Sequence, residues 1–398
     1  MIKHSQYYTS DEIASLMVRC MSKKDVGLVL DLGAGNGALT NSARKKWEDA
    51  IYIVADIDES NCNCLSEQGF NSKNIDCNTP DLDKKLGISY NSVDIGICNP
   101  PYETLESNVF IEQLIDRAQI EMNRKEKFAS SDILFLAYNL LFLKPKGMLG
   151  IIVPYSIMTG RNYSHLRESL IKNYYIERVI ELPEKSFSYT EAKTGILFIR
   201  KENNNGRKTK LNAVIENYRL SESIMVPSSQ LAQRMDYSYH KWKKRQNKEE
   251  IKNNGEISII RGRLSHDELK KKGLPYFHTT CFNKSGINWH YHYDAKEKCI
   301  MEQNCFLIAR VGKRCIGKVH FLEEGLIQIS DCIYGVLVPK EYIEHFKLFF
   351  CSQEYFDFIK IASRGVCSLY LCKGDLETIL LKKLEDFKKN CNRDVFHT

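Results

Sequence analysis

Along the first two hundred residues, short apolar runs alternate with stretches in which apolar positions recur every three or four residues. GLVLDLGAGNGALT (27–40) reads as a strand running into a glycine-rich turn and then a helix. AIYIVADIDES (50–60) and SVDIGICNP (92–100) read as two more strands, the first ending in acids and the second in Asn-Pro-Pro-Tyr. SSDILFLAYNLLFLKPKG (130–147) has the spacing of an amphipathic helix with a Pro/Gly stop. GMLGIIVPYS (147–156), IERVIELPE (176–184) and KTGILFIRK (193–201) are again strand-like. Strands alternating with helices predict an α/β fold with a mostly parallel sheet covered on both faces.

The texture changes after residue 240. Short aromatic and β-branched runs broken by glycine turns, such as NCFLIARVGKRCIGKVHF, are followed by a helical C-terminal segment. The pattern predicts two domains, residues 1–240 and an α+β domain over 241–398.

Composition narrows the class. With 398 residues, 43% hydrophobic and 27% charged, the chain has enough apolar mass for two cores. No apolar run approaches the roughly 20 residues that span a bilayer, and MIKHSQYYTSDE lacks the pattern of a signal peptide, so a cytoplasmic protein without membrane contact is expected. The 14 cysteines are scattered through apolar segments, which predicts mostly buried, reduced thiols rather than a disulfide framework. Cys62-Asn-Cys64 has the wrong spacing for a zinc knuckle, and no metal is expected. The formal charge of +7 is concentrated: residues 206–273 hold 16 Lys and Arg against 8 Asp and Glu. A solvated linker would carry such charge, and so would a surface that binds a polyanion.

The chemistry sits at the strand ends. In DLGAGNG, Gly33, Gly35 and Gly37 leave room for a ligand to approach the backbone where strand meets helix. Asp56 follows 19 residues after Gly37, where an acid can accept hydrogen bonds from a ribose. The turn is G-x-G-x-G with an acid, Asp31, two residues before it, which differs from the dinucleotide fingerprint and suits S-adenosylmethionine, a cofactor with no pyrophosphate. Asn99 offers a side-chain carbonyl, Pro100 a backbone carbonyl, and consecutive prolines hold both rigidly. Two fixed acceptors suit a planar amine with two N–H donors, and Tyr102 supplies a face for an aromatic ring.

Taken in this order, these motifs resemble the N(6)-adenine DNA methyltransferases of the γ class, the TaqI-like modification enzymes of restriction-modification systems. QYYTSDEIASLMVRCM (6–21) resembles that family's N-terminal cofactor motif, which implies Tyr8 and Thr9 as cofactor contacts beside Asp31, Gly33, Gly35 and Asn99. By the same resemblance Asp56 with Ile57 would bind the ribose side, Asp76 the cofactor's adenine, and Asn99, Pro100, Pro101 and Tyr102 the target amine. EKSFSYTEAKTGILFIR resembles the segment that packs an aromatic on the target base, which implies Phe187, with Tyr189 as the alternative. The segments after residue 240 resemble DNA target-recognition domains, and Arg310, Lys313 and Arg314 are predicted DNA contacts.

The resemblance implies a Rossmann-like S-adenosylmethionine-dependent catalytic domain that methylates the N6 amine of a flipped-out adenine in double-stranded DNA. A monomer or weak dimer is expected, with a cognate restriction endonuclease as possible partner. PDLDKK (80–85) lies between strands of the cofactor sheet, where a nuclease core would not fit, so modification without cleavage is expected. Asn-Pro-Pro-Tyr also serves enzymes that methylate RNA base amines or protein glutamine amides. A DNA-binding regulator on a methyltransferase fold is the non-enzymatic alternative.

Overall fold

The structure, a computed structural model, describes residues 8–122, 128–184, 186–187, 193–246, 253–283, 287, 289, 291–294, 297–365 and 369–394. The chain divides into two compact units, Met1–Lys241 and Trp242–Thr398.

The strands of the first unit are β1 (Leu28–Leu32), β2 (Ile51–Asp56), β3 (Asn71–Asn74), β4 (Val93–Cys98), β5 (Thr104–Glu106), β6 (Phe128–Ser130), β7 (Leu143–Pro154), β8 (Tyr175–Glu181), β9 (Thr194–Arg200), β10 (Lys208–Ala213) and β11 (Ile224–Pro227). Nine of them form one sheet in the order β11-β10-β8-β9-β7-β4-β1-β2-β3, and β5 pairs with β6. The sheet is parallel except at β9, which runs against β7 and β8, and at β11, which runs against β10. β1 and β4 are buried along nearly their whole length, as strands covered on both faces must be, with Asp31 and Asp94 the charged exceptions among their apolar residues. One face takes the helix Asp11–Cys20, whose Met17 lies where a side chain at Gly150 would stand, 2.7 Å from that Cβ position. The other face takes the helix Ser131–Phe142, whose Asn139 crowds Gly96 at 2.8 Å in the same sense.

Five strands of the first unit escape the hydrophobic pattern. β3 is Asn-Ser-Lys-Asn, an edge strand that pairs on one side only and buries little. β5 and β6 form a small two-stranded ladder, Thr104 against Ser130, outside the main sheet. β10 and β11 extend the sheet through the basic stretch, so much of that charge belongs to folded elements, among them the helices Tyr237–Gln246 and His266–Lys272, and not to a linker. The Ser131–Phe142 helix also ends before its predicted Pro/Gly stop, because β7 begins at Leu143.

The second unit has a sheet β12-β18-β15-β16 of β12 (Ser258–Arg261), β15 (Cys305–Ala309), β16 (Val319–Leu322) and β18 (Ile333–Leu337), all antiparallel. A smaller sheet joins β13 (Tyr276–Phe277), β17 (Leu326–Ile329) and β14 (Ile300–Glu302). Phe306, Tyr334 and Val336 pack against Phe346, Phe350 and Tyr355 of the helices Ile343–Phe350 and Gln353–Ala362 to make an α+β core. Of the 12 cysteines whose side chains are described, none in a disulfide, 5 are buried, fewer than their apolar neighbours predicted. No described helix is long and apolar enough to cross a membrane.

Candidate active site

The chain leaves β1 toward β2 and β3 on one side, then builds β4, β7 and the rest on the other. The winding reverses between β1 and β4, and a crevice opens beyond their carboxyl ends, where open α/β sheets hold ligands. A cavity there is bordered by the glycine turn, the end of β2, Asp76 and Asn99-Pro100-Pro101.

The glycine turn is pinned to β2 by Gly33 and Ala34, whose N–H groups donate to the Ala55 carbonyl at 2.8 and 3.0 Å. Gly33 has φ of +73°, and a Cβ there would stand 3.2 Å from the Phe135 ring, so the backbone itself forms the cavity wall. Asp56 faces the turn. Its Oδ2 accepts from the Gly35 N–H at 2.7 Å, and its Oδ1 accepts from Asp58 N–H at 2.9 Å and Asn61 Nδ2 at 3.2 Å. Ile57 and Tyr8, each 45% exposed, also line the cavity, Tyr8 with its ring beside Gly35. Asp76 reaches the wall while its Oδ1 accepts from the Asn78 N–H at 2.8 Å.

Asp31 is placed differently. It is 1% exposed and stands behind the wall, where Thr40 Oγ1 donates to its Oδ2 at 2.5 Å. Its Oδ1 is buried with no hydrogen-bond partner among the described residues. Burial pushes the carboxyl up to about 7; the Thr40 bond works against this and the charge of Asp56 adds to it.

Asn99 is held from both sides. Its Nδ2 donates to Thr9 Oγ1 at 3.0 Å, which turns Oδ1 away from Thr9, and the Tyr102 hydroxyl donates to that Oδ1 at 3.4 Å. Thr9 is brought there by the helix Asp11–Cys20, which starts with Ser10 accepting from the Ile13 N–H and buries Ile13, Leu16 and Met17. Among the described residues no group donates to the Pro100 carbonyl, whereas that of Pro101 accepts from Ser131 Oγ at 2.6 Å.

The cavity thus gathers Tyr8, Gly33, Gly35, Asp56, Ile57, Asp76, Asn99, Pro100 and Pro101, with Thr9 and Tyr102 bonded to Asn99. Phe187 does not join them. It is 3% exposed and packs in the core with Leu182 and Ile196, where a bare phenyl ring gains most from leaving water. Tyr189 lies outside the described residues. Residue-type reasoning missed Ser131, Phe135, Glu103 and Leu105, which share the wall. Phe135 was legible only as an apolar helix position. Arg310, Lys313 and Arg314 belong to the second unit: Arg310 Nε donates to the Asp331 carbonyl at 2.9 Å, while Lys313 and Arg314 are exposed.

This sheet order, with a crevice where its winding reverses between β1 and β4, is a Rossmann-like α/β fold. The chain belongs to the N-6 DNA Methylase family, whose profile matches residues 2–261. A protein of Methanocaldococcus jannaschii described as a type II restriction enzyme and methyltransferase is 29% identical over 117 residues, which are 29% of this chain and 9% of that protein. Among solved structures, the methyltransferase subunit of a type I restriction-modification system from Streptococcus thermophilus is similar over 58% of this chain and 52% of its own, with 21% identity and a TM-score of 0.46. The type IIG restriction endonuclease BpuSI is similar over 92% of this chain and 56% of its own, with 13% identity and a TM-score of 0.49. The chain therefore spans about half the length of these structures and a small part of the curated relative.

Proposed function

We propose that this protein is a site-specific adenine methyltransferase of a restriction-modification system. In this reading it transfers a methyl group from S-adenosylmethionine to the exocyclic N6 amine of an adenine flipped out of double-stranded DNA. The observation that carries the reading is the pair of acceptors at one cavity edge, Asn99 Oδ1 with its amide orientation set by Thr9, and the Pro100 carbonyl.

The residues fit the cofactor. Gly33 presents backbone where a Cβ would crowd Phe135, Asp56 and Asp76 offer acceptors for hydroxyl and amine donors, and the unpartnered Oδ1 of Asp31 leaves acceptor capacity behind the turn. Bound there, S-adenosylmethionine would supply an electrophilic methyl group on a sulfonium.

An adenine amine is a poor nucleophile because its lone pair is delocalised into the ring. Accepting both amine hydrogens at Asn99 Oδ1 and the Pro100 carbonyl draws the nitrogen toward tetrahedral geometry and stabilises the positive charge that grows on it. Tyr102 offers a stacking face, worth about 1 to 3 kcal/mol per base, toward the cost of extrusion from the helix. Residues 241–398 act in this reading as the target-recognition domain, with Lys313 and Arg314 on the DNA. The enzyme is cytoplasmic, a monomer or weak dimer, and works beside an endonuclease of the same specificity.

The test is to incubate the protein with labelled S-adenosylmethionine and, separately, duplex DNA, RNA and protein, then to digest and identify the labelled product. N6-methyladenine in DNA supports the proposal. Label only in RNA or in glutamine overturns the substrate, and no label with cofactor bound points to the non-enzymatic alternative.

A further inference from the structure

Ser131 is 4% exposed, borders the cavity and sits 29 residues beyond Tyr102 in the chain. Its hydroxyl donates to the Pro101 carbonyl at 2.6 Å and accepts from the Glu103 N–H at 2.9 Å. Its own N–H donates to the Glu103 carbonyl at 2.9 Å. The first two of these groups belong to the two peptide planes that flank Tyr102. Between two planar peptides only the φ and ψ of the residue joining them are soft, so one oxygen that holds both planes sets the backbone of Tyr102. Its hydroxyl then lies 3.4 Å from Asn99 Oδ1.

The same oxygen decides which carbonyl the motif offers. By occupying the Pro101 carbonyl, Ser131 removes it as an alternative acceptor beside that of Pro100, to which no described residue donates. The placement has a structural origin. The β5–β6 ladder pairs Thr104 with Ser130, and Ser131 continues it by one step to Glu103 just where the helix Ser131–Phe142 begins.

We propose that Ser131 is a positioning residue for methyl transfer, which aims Tyr102 and presents the Pro100 carbonyl to the target amine by clamping residues 101–103. The inference rests on the methyltransferase reading for its kinetic part and on the hydrogen bonds alone for its structural part.

The experiment compares wild type, Ser131→Ala and Ser131→Thr in the full chain. Ser131→Ala removes both hydroxyl bonds and keeps the backbone bond to Glu103; Ser131→Thr keeps the hydroxyl. Ser131→Ala is expected to lower kcat on DNA by about 10- to 100-fold, with KM for the cofactor within about threefold of wild type. Ser131→Thr is expected to restore most of kcat. In protein free of substrate, the Glu103 amide is expected to exchange its hydrogen at least about tenfold faster in Ser131→Ala, as the loss of one protecting bond implies. A kcat within about twofold of wild type, a loss of cofactor affinity as large as the loss of kcat, failure of Ser131→Thr to recover, or unchanged exchange at Glu103 would each overturn the inference. If wild type itself methylates no DNA, the functional reading fails, and exchange at Glu103 still decides the clamp. Should Ser131→Ala not fold, Ser131→Cys, of similar shape but a weaker hydrogen-bonding group, is judged by the same readouts.

Discussion

Asn99 shows how far a single residue can be read. Its chemistry was visible in the sequence, because an amide ahead of two prolines at a strand end has few structural duties. Its orientation was not, since it depends on Thr9, 90 positions earlier. Asn99→Ala removes one of two acceptors that gain strength as charge develops, so kcat should fall by at least about 100-fold. Cofactor affinity should stay within a few-fold, because the glycine turn and Asp56 are untouched; titration calorimetry with the cofactor, beside the methylation assay, checks the separation. Asp31 was legible as an acid of the turn, but its burial was not. A carboxyl raised to about 7 from an ordinary value near 3.8 binds more protons in the folded than in the unfolded chain. The stability it contributes is full below about pH 4 and is lost as pH rises through about 7. Asp31→Asn cannot ionise, so relative to wild type it should be more stable at pH 8 than at pH 5, by at least about 1 kcal/mol. Urea midpoints for both proteins at the two pH values give the answer, and parallel pH curves would refute it. Ser131 and Phe187 mark the limit of residue-level reading. A serine at the start of a helix and a phenylalanine in a loop look the same whether they serve the site or the core until the chain's return path is known.

At the scale of elements, legibility followed burial. β1, β2, β4, β7, β8 and β9 were predicted within a few residues, because each is built around the apolar side chains that a covered strand requires. β3 and β5 were missed because they bury little, and the ladder of β5 with β6 is the element that carries Ser131 to the Asn-Pro-Pro-Tyr loop. The glycine turn belongs to the legible set, and its conformation sharpens what each glycine does. Gly37 has φ of +82° at the start of the helix Ala38–Arg44, and a Cβ there would lie 2.6 Å from Leu65 Cδ2. The leucine end can move, but the backbone angle cannot be relieved. Gly37→Ala should therefore destabilise the first unit by about 1 to 3 kcal/mol and weaken cofactor binding through the displaced turn. A thermal shift with and without cofactor measures both effects, and a variant as stable as wild type would show that the turn tolerates a side chain.

At the scale of the whole molecule, texture alone separated a parallel-sheet half from an aromatic, turn-rich half, but charge was a poorer guide. In its described part the basic stretch is largely strands and helices divided between the two units, so an excess counted along the chain does not mark one surface. The loop Arg310–Gly317 is a better localised candidate. Gly312, with φ of +111°, donates to the Leu369 carbonyl, and Cys315 and Ile316 donate back to the Gly312 carbonyl, so the loop is a built turn. Within it Arg310 is committed to the Asp331 carbonyl and Leu371 donates to its own carbonyl, which makes it a support for the loop. Lys313 and Arg314 are exposed at its tip, where, under the proposed function, they would meet phosphate. Reversing both, Lys313→Glu with Arg314→Glu, should weaken DNA binding by at least about tenfold at low salt. Because each lost phosphate contact removes about 0.9 from the slope of log affinity against log salt, the slope should become shallower by about 2. Arg310→Ala should act mainly on stability, leaving the slope nearly unchanged. Equal slopes for wild type and the double reversal would move the DNA contact elsewhere on the second unit, whereas a slope lost on Arg310→Ala alone would exchange the roles given to the base and the tip of the loop.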